Sequence, residues 1–170
     1  MPAVPLRHGG GVGARAELKL SGVEAAKTAE APSPAVVIDT NVVLDLLVFD
    51  DARWAPLRAA LSAGELHWLA TESMRTELAR VLGYPLIARR LQRDGREPSS
   101  VMAAFDAQVH RFMPTPTRAC FVCKDADDQV FIDLAAAHRA RLLSKDRAVL
   151  SMRKRLGTLG VTVAEDFAAA

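Results

Sequence analysis

The sequence predicts an α/β fold, a three-layer sandwich in which helices flank a central, mostly parallel sheet. Short apolar runs of the kind that fill a sheet covered on both faces recur along the chain. They are Ala35-Val36-Val37-Ile38, His67-Trp68-Leu69-Ala70, Arg141-Leu142-Leu143-Ser144 and Val161-Thr162-Val163. Segments with helical spacing separate them, the alternation expected of parallel strands joined by helical crossovers. A chain of 170 residues, half hydrophobic and a quarter charged, suffices for one domain around one core.

The first strand is a continuous apolar run after Pro34 and ends at Asp39-Thr40-Asn41, residue types that favour helix N-caps. Val42-Val43-Leu44-Asp45-Leu46-Leu47 continues as a helix. Trp54, Leu57 and Leu61 give residues 53–63 a helical period, which Gly64 stops. After the second strand, Thr71 caps a helix reaching Leu82, broken by Gly83-Tyr84-Pro85. Helices follow over 86–93 and 99–111, separated by Asp94-Gly95-Arg96-Glu97-Pro98, and a short edge strand is expected beside Phe112-Met113. Asp128 opens a helix through His138, and Asp146 starts one to about Arg155. No internal repeats occur.

Composition excludes several classes. No uncharged apolar run approaches the ~18 residues that span a bilayer. Residues 1–34, with Gly9-Gly10-Gly11 and Pro32-Ser33-Pro34, lack the apolar core of a signal peptide and read as a flexible extension. Cys120 and Cys123 form a lone C-x-x-C pair, without the second pair that would complete a structural zinc site. The segment after them, Lys124-Asp125-Ala126-Asp127-Asp128, is not the immediate helix of a thioredoxin-like dithiol. They read as reduced thiols in a cytoplasmic protein that does not engage membranes. The net charge of +2 leaves room for a local basic surface.

Ligands of an open parallel sheet bind beyond the C-terminal strand ends. Asp39 falls there directly after the first strand, and Asp146 falls there shortly after Leu143. Asp128 begins the helix leading into the strand that delivers Asp146. On the 71–82 helix, Met74, Leu78, Val81 and Leu82 define the apolar face; Glu77 borders it, whereas Glu72 points nearly the opposite way. Taken singly, each aspartate is an ordinary helix cap and Glu77 a solvated helix residue. Gathered in one cleft, unpaired carboxylates repel and call for a cation. An all-oxygen set suits Mg²⁺ or Mn²⁺, which orient water and stabilise charge on phosphate.

Four blocks, Val36-Val37-Ile38-Asp39-Thr40-Asn41-Val42, Glu77-Leu78-x-x-Val81-Leu82-x-Tyr84-Pro85, Lys124-Asp125-Ala126-Asp127-Asp128-Gln129-Val130-Phe131 and Leu142-Leu143-Ser144-Lys145-Asp146, stand in that order. Together they resemble the signature blocks of the PIN-domain nucleases, in particular the branch of toxin components of toxin–antitoxin systems. The resemblance covers about 35–164, leaving a C-terminal tail over 165–170. It implies a divalent-metal-dependent endoribonuclease that cleaves single-stranded RNA with metal-activated water, without a covalent intermediate. It places Asp39, Glu77, Asp128 and Asp146 as catalytic metal ligands for one or two Mg²⁺ or Mn²⁺ ions. Asp128 is preferred as the third acid because Gln-Val-Phe-Ile-Asp-Leu-Ala fits the helix the family places after it; Asp127 is the reserve. Asn41 and Ser144 match positions that support the acids by hydrogen bonds, the serine standing where many relatives have threonine. An antitoxin protein partner and a homodimer are further implications.

RNA contacts are expected from basic residues: Arg75 and Arg80 on the helix of Glu77, Lys145 and Arg147 flanking Asp146, and Arg89, Arg90, Arg93 and Arg96 clustered between helices. The last group is the better phosphate candidate because helix spacing lets several face one way. Aromatic residues are too few to support sequence readout by stacking. Two other readings compete. A dehalogenase-type, aspartate-dependent phosphatase wants an aspartate two positions after Asp39, where this chain has Asn41. A PIN-like module retained only for binding RNA or protein is the other, disfavoured by the presence of all four acids.

Overall fold

The structure, a computed structural model, describes residues 34–168. The extension expected over 1–34 lies outside the described residues except for Pro34. Five strands form one sheet in the order β3-β2-β1-β4-β5: β1 (Ala35–Ile38), β2 (His67–Thr71), β3 (Arg111–Met113), β4 (Arg141–Leu143) and β5 (Thr162–Ala164). Every pairing is parallel. From β1 the chain builds outward through β2 to β3, then returns to the other side of β1 to lay down β4 and β5. The winding direction therefore reverses between β1 and β4, and their C-terminal ends open the crevice in which such sheets bind ligands.

β1 lies in the middle, and Val36, Val37 and Ile38 are all buried, as a strand covered on both faces requires. Helices α1 (Thr40–Leu47), α2 (Ala55–Ser62), α3 (Glu72–Leu82), α4 (Pro85–Arg93) and α5 (Pro98–Gln108) belong to the β1–β3 half. Helices α6 (Gln129–His138), α7 (Arg147–Leu150) and α8 (Arg153–Gly157) belong to the return half. α3 packs on β2 and against α1, α4 and α5, whereas α6 packs on β1 and β4, and α8 on β5. One apolar core runs through both halves, with Trp54, Trp68, Leu78, Ile132, Leu142 and Leu156 among its fully buried members. Among the described residues, no helix is long and apolar enough to cross a membrane.

The elements follow the sequence reading, with three differences. The helix expected over 53–63 begins as a 3₁₀ turn, Ala52–Trp54, because Asp51 caps it by accepting from the Arg53 N–H at 2.9 Å. The helix expected over 99–111 ends at Gln108, and Arg111 is drawn into β3 beside β2. The helix expected from Asp146 to Arg155 is two helices, α7 and α8. At the joint the Met152 N–H bonds to the Val149 carbonyl three residues back, breaking the α-helical ladder. Val149, Met152 and Leu156 are buried on both sides of this break, so the apolar period continues across it.

Candidate active site

The register of β1 on β4 pairs Ile38 with Leu143, so the next residues, Asp39 and Ser144, leave the sheet side by side. The Asp39 N–H continues the ladder to the Leu143 carbonyl at 2.9 Å. The Ser144 hydroxyl donates to Asp39 Oδ2 at 2.6 Å and accepts from the Asp146 N–H at 3.0 Å. A single buried hydroxyl thereby locks the turn carrying Asp146 onto Asp39.

Asp39 and Asp146 are both caps and site residues. Asp39 Oδ1 accepts from the Asn41 N–H at 3.0 Å at the start of α1, and Asp146 Oδ1 accepts from the Ala148 N–H at 2.6 Å at the start of α7. The support expected from Asn41 comes from its main chain; its side chain is exposed. Asp128 differs. It stands at the N-terminus of α6 in a helical conformation and makes no side-chain cap bond, contrary to the capping expectation. Its Oδ2 is buried without a hydrogen-bond partner.

The three aspartates line one pocket of about 470 Å³ together with Glu77, Asp125 and Asp127. Asp127 is exposed and its N–H bonds to Asp125 Oδ1, a local turn, whereas Asp128 is partly buried. Burial, followed by the neighbouring carboxylates of Asp39, Asp146, Asp125 and Asp127, pushes the Asp128 carboxyl up to about 7. Burial also raises Asp39, against the hydrogen bonds from Ser144 and Asn41. Met74, Leu78, Val81 and Leu82 are the buried residues of α3, Glu72 is exposed, and Glu77 stands half-buried at the pocket wall with Oε2 accepting from Arg80 at 2.5 and 3.0 Å.

The basic residues fare unequally. Arg75 is held by Asp106 through two hydrogen bonds of 2.7 and 2.8 Å. Arg90 and Arg93 share Asp94, and Arg90 also lies over Phe49. Lys145 is paired with Asp45, a buried carboxylate that also accepts from Trp54 Nε1 at 3.1 Å. Arg80 faces the pocket, and Arg89 and Arg147 are exposed.

Two residues that sequence reasoning missed hold the acidic segment in place. Gln129 Oε1 accepts from the Cys123 N–H at 2.7 Å, while its Nε2 donates to the Phe121 carbonyl at 3.1 Å and to Asp133 Oδ1 at 2.7 Å. Asp133 Oδ1 also accepts from the Ala119 N–H at 2.8 Å. Both side chains are buried, and through them α6 fastens the loop that enters Asp125-Ala126-Asp127-Asp128. The nearest signal in the sequence was the i, i+4 spacing of two amide- or acid-bearing residues on one helix face.

Among the described residues, no group of three or more His, Cys, Asp or Glu side chains is drawn together closely enough to hold a metal ion. The donor set nonetheless fits a hard divalent ion held by few protein ligands. Such an ion binds through one or two carboxylates and keeps several waters, and Asp128 Oδ2 is an unpartnered oxygen beside two further carboxylates.

A reversal-point crevice lined by carboxylates places the molecule among α/β proteins with an acidic site at the strand ends. The family model for the PIN domain matches residues 35–148, and the chain belongs to that family. PIN domains are generally nucleases and usually use divalent metal ions. No curated protein matches the chain.

Proposed function

We propose that this PIN domain is a divalent-metal-dependent endoribonuclease that hydrolyses single-stranded RNA, with Asp39, Glu77, Asp128 and Asp146 as its acids. The observation that carries this is the buried, partnerless Oδ2 of Asp128 in a pocket shared with the carboxylates of Asp39 and Asp146. A fold gains nothing from crowding these charges unless a cation completes the group. Mg²⁺ or Mn²⁺ bound there supplies Lewis acidity toward a water and the scissile phosphate.

The chain's own residues have separate tasks. Ser144 and the α1 cap hold Asp39 with its oxygens fixed, and the α7 cap does the same for Asp146. Asp128, free of any cap, is the acid whose charge the cation must stabilise: without a cation, burial and the neighbouring carboxylates push its carboxyl up to about 7. Glu77 forms the opposite wall, and Arg80 beside it offers a positive charge to a phosphate. Asp127, exposed and turned into a local loop, is the weaker choice for the third acid.

A toxin role within a toxin–antitoxin pair and a homodimer complete the reading and rest on the resemblance of the four sequence blocks alone; a cytoplasmic site of action rests on the reading of the cysteines and of residues 1–34. The test is cleavage of a single-stranded RNA by purified protein with Mg²⁺ or Mn²⁺, alongside Asp39→Asn. Metal-dependent cleavage lost in the variant is the expected result. Cleavage that persists in the variant points to a contaminant and sinks the assignment. Growth arrest on expression, relieved by a co-expressed neighbouring protein, tests the toxin role separately.

A further inference from the structure

Two kinds of side chain line the pocket. Aspartates are one; the other is an apolar wall in which Leu44, Val81 and Ile87 are buried and Tyr84 and Leu86 are exposed. Cation and phosphate chemistry needs the first kind only, and gives no reason for the exposed ring and aliphatic side chain. Among the described residues three large hydrophobic side chains are exposed, Tyr84 at 45 %, Leu86 at 74 % and Val122 at 57 %, and the first two both stand on this wall. Exposed side chains of this kind are ordinary singly; here two adjoin the acids in one pocket, where a ligand reaching the acids would also meet them.

The backbone explains how the ring comes to be there. Tyr84 occupies the elbow between α3 and α4 in an extended conformation (φ −66°, ψ 141°), immediately before Pro85 at the first position of α4. Proline bars the preceding residue from helical geometry, so Tyr84 joins neither helix and its side chain stands at the corner. One turn earlier, the Arg80 guanidinium lies 5.8 Å from the ring centre. Glu77 engages two of its five N–H donors, leaving the others for a further acceptor.

We infer that this wall is a base-binding subsite. It takes an unpaired nucleobase of single-stranded RNA adjoining the phosphate that a cation at the acids would hold, with Tyr84 as the stacking surface, Leu86 against the base edge and Arg80 on the backbone phosphate. The inference rests on the nuclease reading above and deepens it. A flat ring and an aliphatic edge accept any base, since every base has a π-face. A duplex keeps its bases stacked and paired inside, so the wall selects unpaired strands without reading sequence.

The test is binding, measured apart from turnover. Full-length protein carrying Asp39→Asn is titrated into a fluorescein-labelled single-stranded RNA oligonucleotide in Mg²⁺, and anisotropy is read. Adding Tyr84→Ala is expected to weaken binding about tenfold, in line with the loss of one stacked base. Adding Tyr84→Phe, which keeps the ring, leaves binding within about twofold, and Leu86→Ser weakens it several-fold. Against an oligonucleotide of the same length with abasic riboses, the Tyr84→Ala effect disappears. Equal loss in Tyr84→Phe and Tyr84→Ala, or a Tyr84→Ala loss that persists on abasic RNA, overturns the subsite. Tyr84-dependent binding without cleavage by the native protein removes the nuclease reading and keeps the subsite. Cleavage by the native protein with binding indifferent to Tyr84 does the reverse.

Discussion

Replacing Asp128 by asparagine is expected to stabilise the metal-free protein while abolishing its response to divalent ions. The carboxyl is raised from 3.8 to about 7 chiefly by burial and then by its acidic neighbours, so the folded chain holds this proton to a higher pH than the unfolded chain does. Folding stability then falls as pH rises from about 4 to 7, and the whole penalty is present above pH 7. Expressed in full, that shift corresponds to about 4 kcal/mol. Asp128 is only partly buried, so solvent screening reduces it to about 1–2 kcal/mol. For a domain of this size that is a rise in Tm of about 3–8 °C for Asp128→Asn at pH 8. The assay is thermal unfolding by circular dichroism in EDTA from pH 4 to 8, native against variant. The difference between the two cancels the distant titrating groups and reports this carboxyl together with the acids it faces electrostatically, Asp39 and Asp146 foremost. It is expected to be near zero at pH 4, to grow through pH 7 and then to level off. Added Mg²⁺ or Mn²⁺ should raise the native Tm and leave the variant's unchanged. An asparagine variant no more stable than the native protein at pH 8 would refute the argument, because a plain helix cap tolerates this exchange without gain.

Three further outcomes follow from the same geometry. Ser144→Ala removes the donor to Asp39 and the acceptor for the Asp146 N–H in a fully buried position; a loss of about 1–3 kcal/mol in urea denaturation is expected, with weaker divalent binding by calorimetry. Gln129→Ala releases the loop leading to the acids, so amide exchange at Ala119 and Cys123 should accelerate together, with stability lower by about 1–3 kcal/mol. Lys145→Met leaves the buried Asp45 carboxylate with only the Trp54 N–H. It should destabilise by about 2–3 kcal/mol while leaving the salt dependence of RNA binding unchanged, whereas a phosphate-contacting lysine would lower that slope by about one.

The parts of the molecule legible in the sequence were those with local causes. The uninterrupted Val36-Val37-Ile38 run marked a doubly covered strand, and the phase of Met74, Leu78, Val81 and Leu82 put Glu77 on the side of α3 that meets the pocket. What escaped depends on residues far apart in the chain. Asp45 and Lys145, 100 positions apart, meet only because α1 and the β4–α7 turn leave adjacent strands, so in the sequence Lys145 could be read only as an RNA contact beside Asp146. Gln129 and Asp133 read as ordinary helix residues because their partners lie in a loop whose path no periodicity encodes. Tyr84 stood in the block with Glu77 and Pro85, but its exposure at the corner between two helices was not readable from that block.

The capping bonds of Asp39 and Asp146 constrain how this protein can lose its chemistry over evolutionary time. At those two positions the side chain also starts a helix, so drift is confined to residues that still cap, chiefly Asn, Ser and Thr. Asp128 holds no such second duty, and its charge strains the fold, so selection for stability alone would replace it readily. An inactive descendant of this chain should therefore carry capping residues at 39 and 146 and almost anything at 128. On the proposed reading, its ancestry would stay readable in two positions after the activity had gone from the third.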